Sequence, residues 1–310
     1  MSTIVTLTLN PCLDKNTSVH SVASEIKLRC EAPMLEAGGG GVNVSRAIQN
    51  MEGESLAIMP LGGGNGDVIR RLLERDKMAF EAIATQANTR ENFIVFENST
   101  SLQYRFGMPG EPLTDNEIET CIAAVLGANA DYIVASGSLP PSVPDDFYAQ
   151  LAMRVKKTSA HLIVDTSGAA LERMVGSSVF LLKPNIHELE ILSGQKFEGE
   201  EQMVAVARHL ISQKMAQVLV ISLGAQGAAL ISEDDYVQMK PPVVPIRSKV
   251  GAGDSMVGGM TYALAQGWSL RDAVRYGIAA GSAAVMNDGA ELCKKADVER
   301  IYPKVKVLSD

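Results

Sequence analysis

Asp131-Tyr-Ile-Val-Ala135, His161-Leu-Ile-Val-Asp165, Val179-Phe-Leu-Leu182 and Gln217-Val-Leu-Val-Ile-Ser222 are short β-rich runs, with helical patterns such as Asp145–Lys157 and Met203–Gln213 among them. Strands alternating with helices predict βαβ units and a mostly parallel sheet covered on both faces, that is, a three-layer α/β/α fold. Working toward the N-terminus, Thr3–Leu9 and Ser55–Leu61 read as further strands, and Val42–Asn50, Asp67–Arg75 and Ile118–Leu126 as helices. Thr114 and Glu117 have capping-box spacing, which marks a helix start. Toward the C-terminus, Ala252–Gln266, Leu270–Met286 and Asp297–Val305 read as helices without intervening strands. Two segments break the alternation, at about residues 15–36 and 89–107. The second reads as a hairpin around Asn98-Ser-Thr-Ser101. Together they predict a small antiparallel sheet that needs cover, as a lid or as a dimer contact. The expected organisation is one domain over residues 1–310 with this lid inserted in it.

Composition narrows the function classes. The chain has 310 residues, with 28 Lys plus Arg against 36 Asp plus Glu, a formal charge of −8. That balance opposes a dedicated nucleic-acid binder but leaves room for a local basic pocket. No apolar run has the length of a membrane span, and Met1–Asn10 reads as a strand rather than a signal peptide. The four cysteines (Cys12, Cys30, Cys121, Cys293) lack metal-ligand spacing, so reduced thiols in a cytoplasmic protein are expected. The 27 glycines are the signal to follow.

In Val250-Gly-Ala-Gly-Asp-Ser-Met-Val-Gly-Gly259 the glycines open a helix and an acid follows them. Amides at a helix start hold an anion, and an acid beside them makes sense as a base acting on an attacking hydroxyl. A tight turn with Asp254 as a helix-start acid accounts for the motif equally well. Gly38-Gly-Gly-Gly-Val-Asn43 and Gly62-Gly-Gly-Asn-Gly66 also feed helices, but neither is a Walker A loop, and the first is a poor dinucleotide fingerprint. A close backbone contact to a ligand stays open at Gly38–Gly41. In Leu182-Lys-Pro-Asn-Ile-His-Glu188, Asn185 and Glu188 are three apart at a helix start. Alone they are helix-starting residues; the chemical alternative is a hydrated Mg2+. Ser222-Leu-Gly-Ala-Gln-Gly-Ala228 is another glycine turn, suited to lining a nucleotide.

Thr8-Leu-Asn-Pro-Cys-Leu-Asp14, Gly38–Asn43, Lys183–Glu188 and Gly251-Ala-Gly-Asp254 together resemble, in this order, the ribokinase-like (pfkB-type) carbohydrate kinases. Ser136-Gly-Ser-Leu-Pro-Pro141 adds a match to the phosphosugar branch. Lys27-Leu-Arg-Cys30, the all-glycine run and Tyr104-Arg-Phe106 look most like the branch that phosphorylates fructose 6-phosphate at its 1-hydroxyl. Relatives acting on tagatose 6-phosphate or fructose 1-phosphate usually carry Lys where Gly40 stands, yet they share Asn10. A noncatalytic sugar-phosphate sensor is the reading from another class.

The resemblance implies roles residue by residue. Asp254 is the base, and the amides of Gly251, Ala252 and Gly253 form an anion hole. Asp14, Gly39, Asn43 and Ser138 hold the sugar. Lys27, Arg29, Arg90 and Arg105, all in the lid segments, hold its phosphate. Lys183, Asn185, Ser222, Gly224 and Gly227 meet ATP, and Glu188 meets Mg2+ through water. Carbonyls around Ser248, Val250, Ala284, Asn287 and Gly289 hold a monovalent cation such as K+. A homodimer through the lid and inhibition by ATP are further implications.

Overall fold

Buried runs of branched residues make the centre of the molecule. The structure, a computed structural model, describes residues 3–289 and 291–309. Its strands are β1 (Ile4–Leu7), β2 (Cys12–Val19), β3 (Met34–Gly38), β4 (Leu56–Leu61), β5 (Phe80–Ala84), β6 (Arg90–Glu97) and β7 (Leu102–Gly107). They continue with β8 (Tyr132–Ser136), β9 (His161–Asp165), β10 (Val179–Leu182), β11 (Ala216–Ser222), β12 (Ala228–Ile231), β13 (Tyr236–Lys240) and β14 (Lys306–Ser309). Ten of them form one sheet in the order β14-β13-β12-β11-β10-β9-β8-β1-β4-β5. Pairing is parallel from β11 through β5, as the alternating pattern predicts.

Alternation along each strand divides the core between the two faces. Ile133 and Ala135 pack with the helices Asp115–Gly127, Phe147–Val155 and Glu200–Ser212 on one side. Val134 and Ile163 pack with Gly40–Asn50, Ala252–Ala265 and Leu270–Ala284 on the other. Each fully buried Leu, Ile or Val contributes roughly 1.5–3 kcal/mol, so covering both faces fixes the layer order. A third cluster, including Leu13, Met59, Ile69 and Leu73, seats the helix Gly63–Arg75. Thr114 and Glu117 do form the expected capping box.

Among the described residues the three C-terminal helices follow one another without an intervening strand, as expected, over Ala252–Ala265, Leu270–Ala284 and Lys295–Ile301. The sheet reaches further than the sequence pattern indicates: β12 and β13 precede these helices, β14 follows them, and all three extend it with antiparallel pairings. The Ala228-Ala-Leu-Ile231 run is too short and alanine-rich to signal a strand; its pairing with β11 makes it one. Against expectation, the second sheet, ordered β3-β2-β6-β7, is not antiparallel throughout. Its two outer pairs are, but β2 and β6 run parallel, with Asp14 opposite Asn92. The hairpin around Asn98–Ser101 lies as expected between β6 and β7. The segment from His20 to Pro33 joins β2 to β3 without regular strand or helix and is mostly exposed.

Candidate active site

The parallel strands β8, β9, β10 and β11 end side by side, and their carboxyl ends carry Ser136, Asp165, Lys183 and Ser222. In open α/β sheets the crevice beyond these ends is where ligands bind. The helices Gly40–Asn50 and Ala252–Ala265 begin there, bringing Asn43 to Asp254: Asn43 Nδ2 donates to Asp254 Oδ2 at 2.9 Å.

Gly251 caps the helix Ala252–Ala265 in the left-handed region, at φ 71°, where side chains are strained. An added Cβ there would come within 2.4 Å of Leu292 Cδ2, so two constraints require glycine. Burial, and then the nearby Asp165 carboxylate, push the Asp254 carboxyl up to about 6. The Asn43 hydrogen bond and the charges of Lys183 and Arg105 pull in the opposite direction without cancelling the rise.

Asp165 is the functional candidate that sequence reading overlooked. It was legible only as an acid ending an apolar strand. Lys183 Nζ lies 3.1 Å from Asp165 Oδ1, with both side chains largely buried. Burial pulls the ammonium pKa down, but the charge and hydrogen bond of Asp165 together with the charges of Glu188 and Asp254 outweigh it, and the net shift is upward. Lys183 therefore stays charged beside the helix start; its Nζ would stand 3.7 Å from a Cβ added at Gly253.

Asn185 and Glu188 do form a helix start. Asn185 Oδ1 accepts from Glu188 N at 2.9 Å, while Glu188 Oε2 accepts from Asn185 N at 2.8 Å. Burial raises the Glu188 pKa, with the Asn185 amide and Lys183 opposing it. Ser222 N donates to Pro184 O and Ser222 bridges to Asn185, so the two proposed nucleotide segments touch. Gly224 opens the 3-10 turn Gly224–Gln226, and Gly227 follows it.

The glycine run has a first use inside the protein. A Cβ at Gly38 would lie 2.2 Å from Asp14 Oδ2, and one at Gly40 would lie 2.4 Å from Ser136 Oγ. Asp14 itself sits inside β2 rather than at a strand's carboxyl end, and it is buried. Ser138 follows β8 and accepts from Asn10 Nδ2 at 3.2 Å.

The four cations expected to meet the sugar phosphate differ. Arg90 is committed to the protein: Nε and Nη2 donate to Asn10 O, and Nη1 donates to Asn92 Oδ1 and Met108 O. Four of its five N–H groups are thereby occupied. Lys27 and Arg29 lie on the exposed His20–Pro33 connection, and Arg105 is exposed on β7. Among the described residues no ion pair ties Lys27, Arg29 or Arg105.

The residues expected around a monovalent cation are also brought together. Ser248 Oγ donates to Gly289 O at 2.6 Å, and Ser248 N donates to Val285 O. Ala284 O accepts from Asn287 N, which folds the end of the helix Leu270–Ala284 toward this loop. No cluster of three or more His, Cys, Asp or Glu suited to a metal occurs among the described residues.

An acid of raised pKa, a helix start and a buried ammonium at the carboxyl edge of an α/β sheet define a phosphotransferase-type cleft. The comparisons with known proteins agree: residues 7–297 match the pfkB family carbohydrate kinase model, and the chain belongs to that family. It is 42% identical over 301 residues to ATP-dependent 6-phosphofructokinase isozyme 2 of Mycobacterium tuberculosis (strain ATCC 25618 / H37Rv), covering 96% of this chain and 88% of that one. The crystal structure of phosphofructokinase-2 from Escherichia coli in complex with fructose-6-phosphate covers 98% of this chain and 99% of its own, with TM-score 0.92 and 39% identity. Structures of the same enzyme in complex with potassium and in a tetrameric inhibited form are similar as well. A 1-phosphofructokinase of Borreliella burgdorferi is more distant, at 31% identity over 98% of each chain. The fold is thus ribokinase-like, with a mostly parallel central sheet and a separate small one. No described helix is long and apolar enough to cross a membrane.

Proposed function

We propose that this chain transfers the γ-phosphoryl group of ATP to the 1-hydroxyl of fructose 6-phosphate, giving fructose 1,6-bisphosphate. The observation that carries the chemistry is Asp254, raised to about 6 at a glycine-opened helix start and oriented by Asn43. The choice of sugar is supported by the relatives, because the 6-phosphofructokinases are more similar than the 1-phosphofructokinase.

Asp254 takes the proton of the sugar 1-hydroxyl as that oxygen attacks. The amides of Gly251, Ala252 and Gly253 and the Lys183 ammonium balance the charge on the transferred group. Asp14, Gly39, Asn43 and Ser138 orient the sugar. Lys27, Arg29 and Arg105 bind its phosphate, and Arg90 adds its uncommitted N–H while bracing Asn10 and Asn92. Asn185, Ser222, Gly224 and Gly227 line the nucleotide. Mg2+ would be held by Glu188 through water, which suits a site with few protein carboxylates, and it would neutralise phosphate charge. The loop of Ser248 and Val250 and the turn of Ala284, Asn287 and Gly289 offer the carbonyl-rich setting that K+ requires.

The small sheet acts as a lid on a single kinase domain, excluding water from the cleft. A homodimer covers its outer face, where Leu102 and Phe106 are 56% and 49% exposed. Phosphorylated substrates place the reaction in the cytoplasm, with no nucleic acid or membrane as partner. The test is ADP release with purified fructose 6-phosphate, tagatose 6-phosphate and fructose 1-phosphate. Highest kcat/KM with fructose 6-phosphate is expected; a preference for another sugar, or no turnover with any, overturns the assignment.

A further inference from the structure

We infer that Cys12 is a positioning residue for sugar recognition, fixing Asp14 so that one carboxylate oxygen serves the protein and the other serves the substrate. The inference rests on the reading of Asp14 as the sugar's acceptor. Cys12 and Asp14 are two apart on β2 and therefore share one face of the small sheet. The Cys12 thiol donates to Asp14 Oδ1 at 3.1 Å, and Asn92 Nδ2 donates to the same oxygen at 2.9 Å. Among the described residues no donor reaches Oδ2, which lies against the bare Cα of Gly38.

The neighbours keep this arrangement from inverting. Asn92 Oδ1 accepts from Met108 N at 3.1 Å and from Arg90 Nη1 at 3.3 Å, so the amide must turn Nδ2 toward Asp14. Cys12 is 2% exposed, and its sulfur would stand 2.9 Å from a Cβ at Gly38. It thus fills the wall beside the carboxylate as well as donating to it. Burial and then the Asp14 charge hold the thiol well above its usual pKa, so it remains a donor. With Oδ1 engaged twice, Asp14 presents Oδ2 as its acceptor for the sugar.

The test uses Cys12→Ala, Cys12→Ser, Asn92→Ala and Asp14→Asn in the full chain, with the sugar phosphate that the wild type turns over best. Cys12→Ala is expected to raise KM for the sugar roughly 3–10-fold, the range for losing one ordinary hydrogen bond, because a thiol is a weak donor, with kcat and KM for ATP within about twofold. Cys12→Ser keeps a donor and should restore most of the KM, whereas a role in packing alone would not be rescued this way. Asn92→Ala should repeat the split. An unchanged sugar KM in Cys12→Ala, or a serine variant no better than alanine, overturns the inference. Should Cys12→Ala fail to fold, a wild-type sugar KM for Asn92→Ala overturns the split of oxygens that the inference requires. A wild-type sugar KM in Asp14→Asn defeats the acceptor reading instead, so the two failures are distinguishable.

Discussion

The helix start at Gly251–Asp254 and the small sheet of β2, β3, β6 and β7 face the same cleft but are built oppositely. At the helix start the working groups are backbone amides, a buried ammonium and a partly buried carboxyl raised to about 6, with Gly253 open to solvent. On the small sheet, Arg105 and the connection carrying Lys27 and Arg29 are exposed. Low local dielectric makes each charge count at the first region, while water and salt screen the second. On the proposed function, chemistry belongs to the helix start and affinity to the sheet, and kinetics can break that division.

The largest effect is expected at Asp254. Asp254→Asn should lower kcat roughly 10²–10⁴-fold, the span for losing a general base, with sugar binding largely kept. Stopped-assay turnover and equilibrium titration check both halves, and near-wild-type kcat removes the contrast between the regions. The pH dependence should follow the same carboxyl. A base must be unprotonated, so kcat/KM should rise about tenfold per pH unit below about 6 and level off above it. Asp165→Asn removes the carboxylate that raises Asp254 and leaves Lys183 uncompensated, so the inflection should move to lower pH.

The sheet should give smaller, binding-type effects. Arg105→Ala should raise the sugar KM on the order of tenfold with a smaller change in kcat, and the wild-type KM should increase with salt. A fall in kcat matching that of Asp254→Asn would place Arg105 in the chemistry. The smallest kinetic effect is expected from Phe106→Asp on the outer face. Sedimentation should show weaker self-association while kcat changes only a few-fold, and unaltered association would move the dimer contact elsewhere.

Local patterns were legible because their causes are local. The runs in β8 to β11 announced themselves by apolar density, and Thr114–Glu117 by a three-residue spacing that a helix start imposes. The spacing of Asn185 and Glu188 was equally visible, yet their reciprocal hydrogen bonds show that capping already occupies part of both side chains. The antiparallel β12–β14 edge left little trace, since short strands take their identity from neighbours.

The sequence by itself determined the layered α/β order, the glycine-opened helix start and the acid that follows it, because burial and helix capping act over a few residues. Tertiary structure alone decided that Asp165 pairs with Lys183, that β2 runs parallel to β6, and that Arg90 spends most of its donors on the protein. Those outcomes depend on groups far apart in the chain meeting at one edge, where desolvation and hydrogen-bond geometry select the partners.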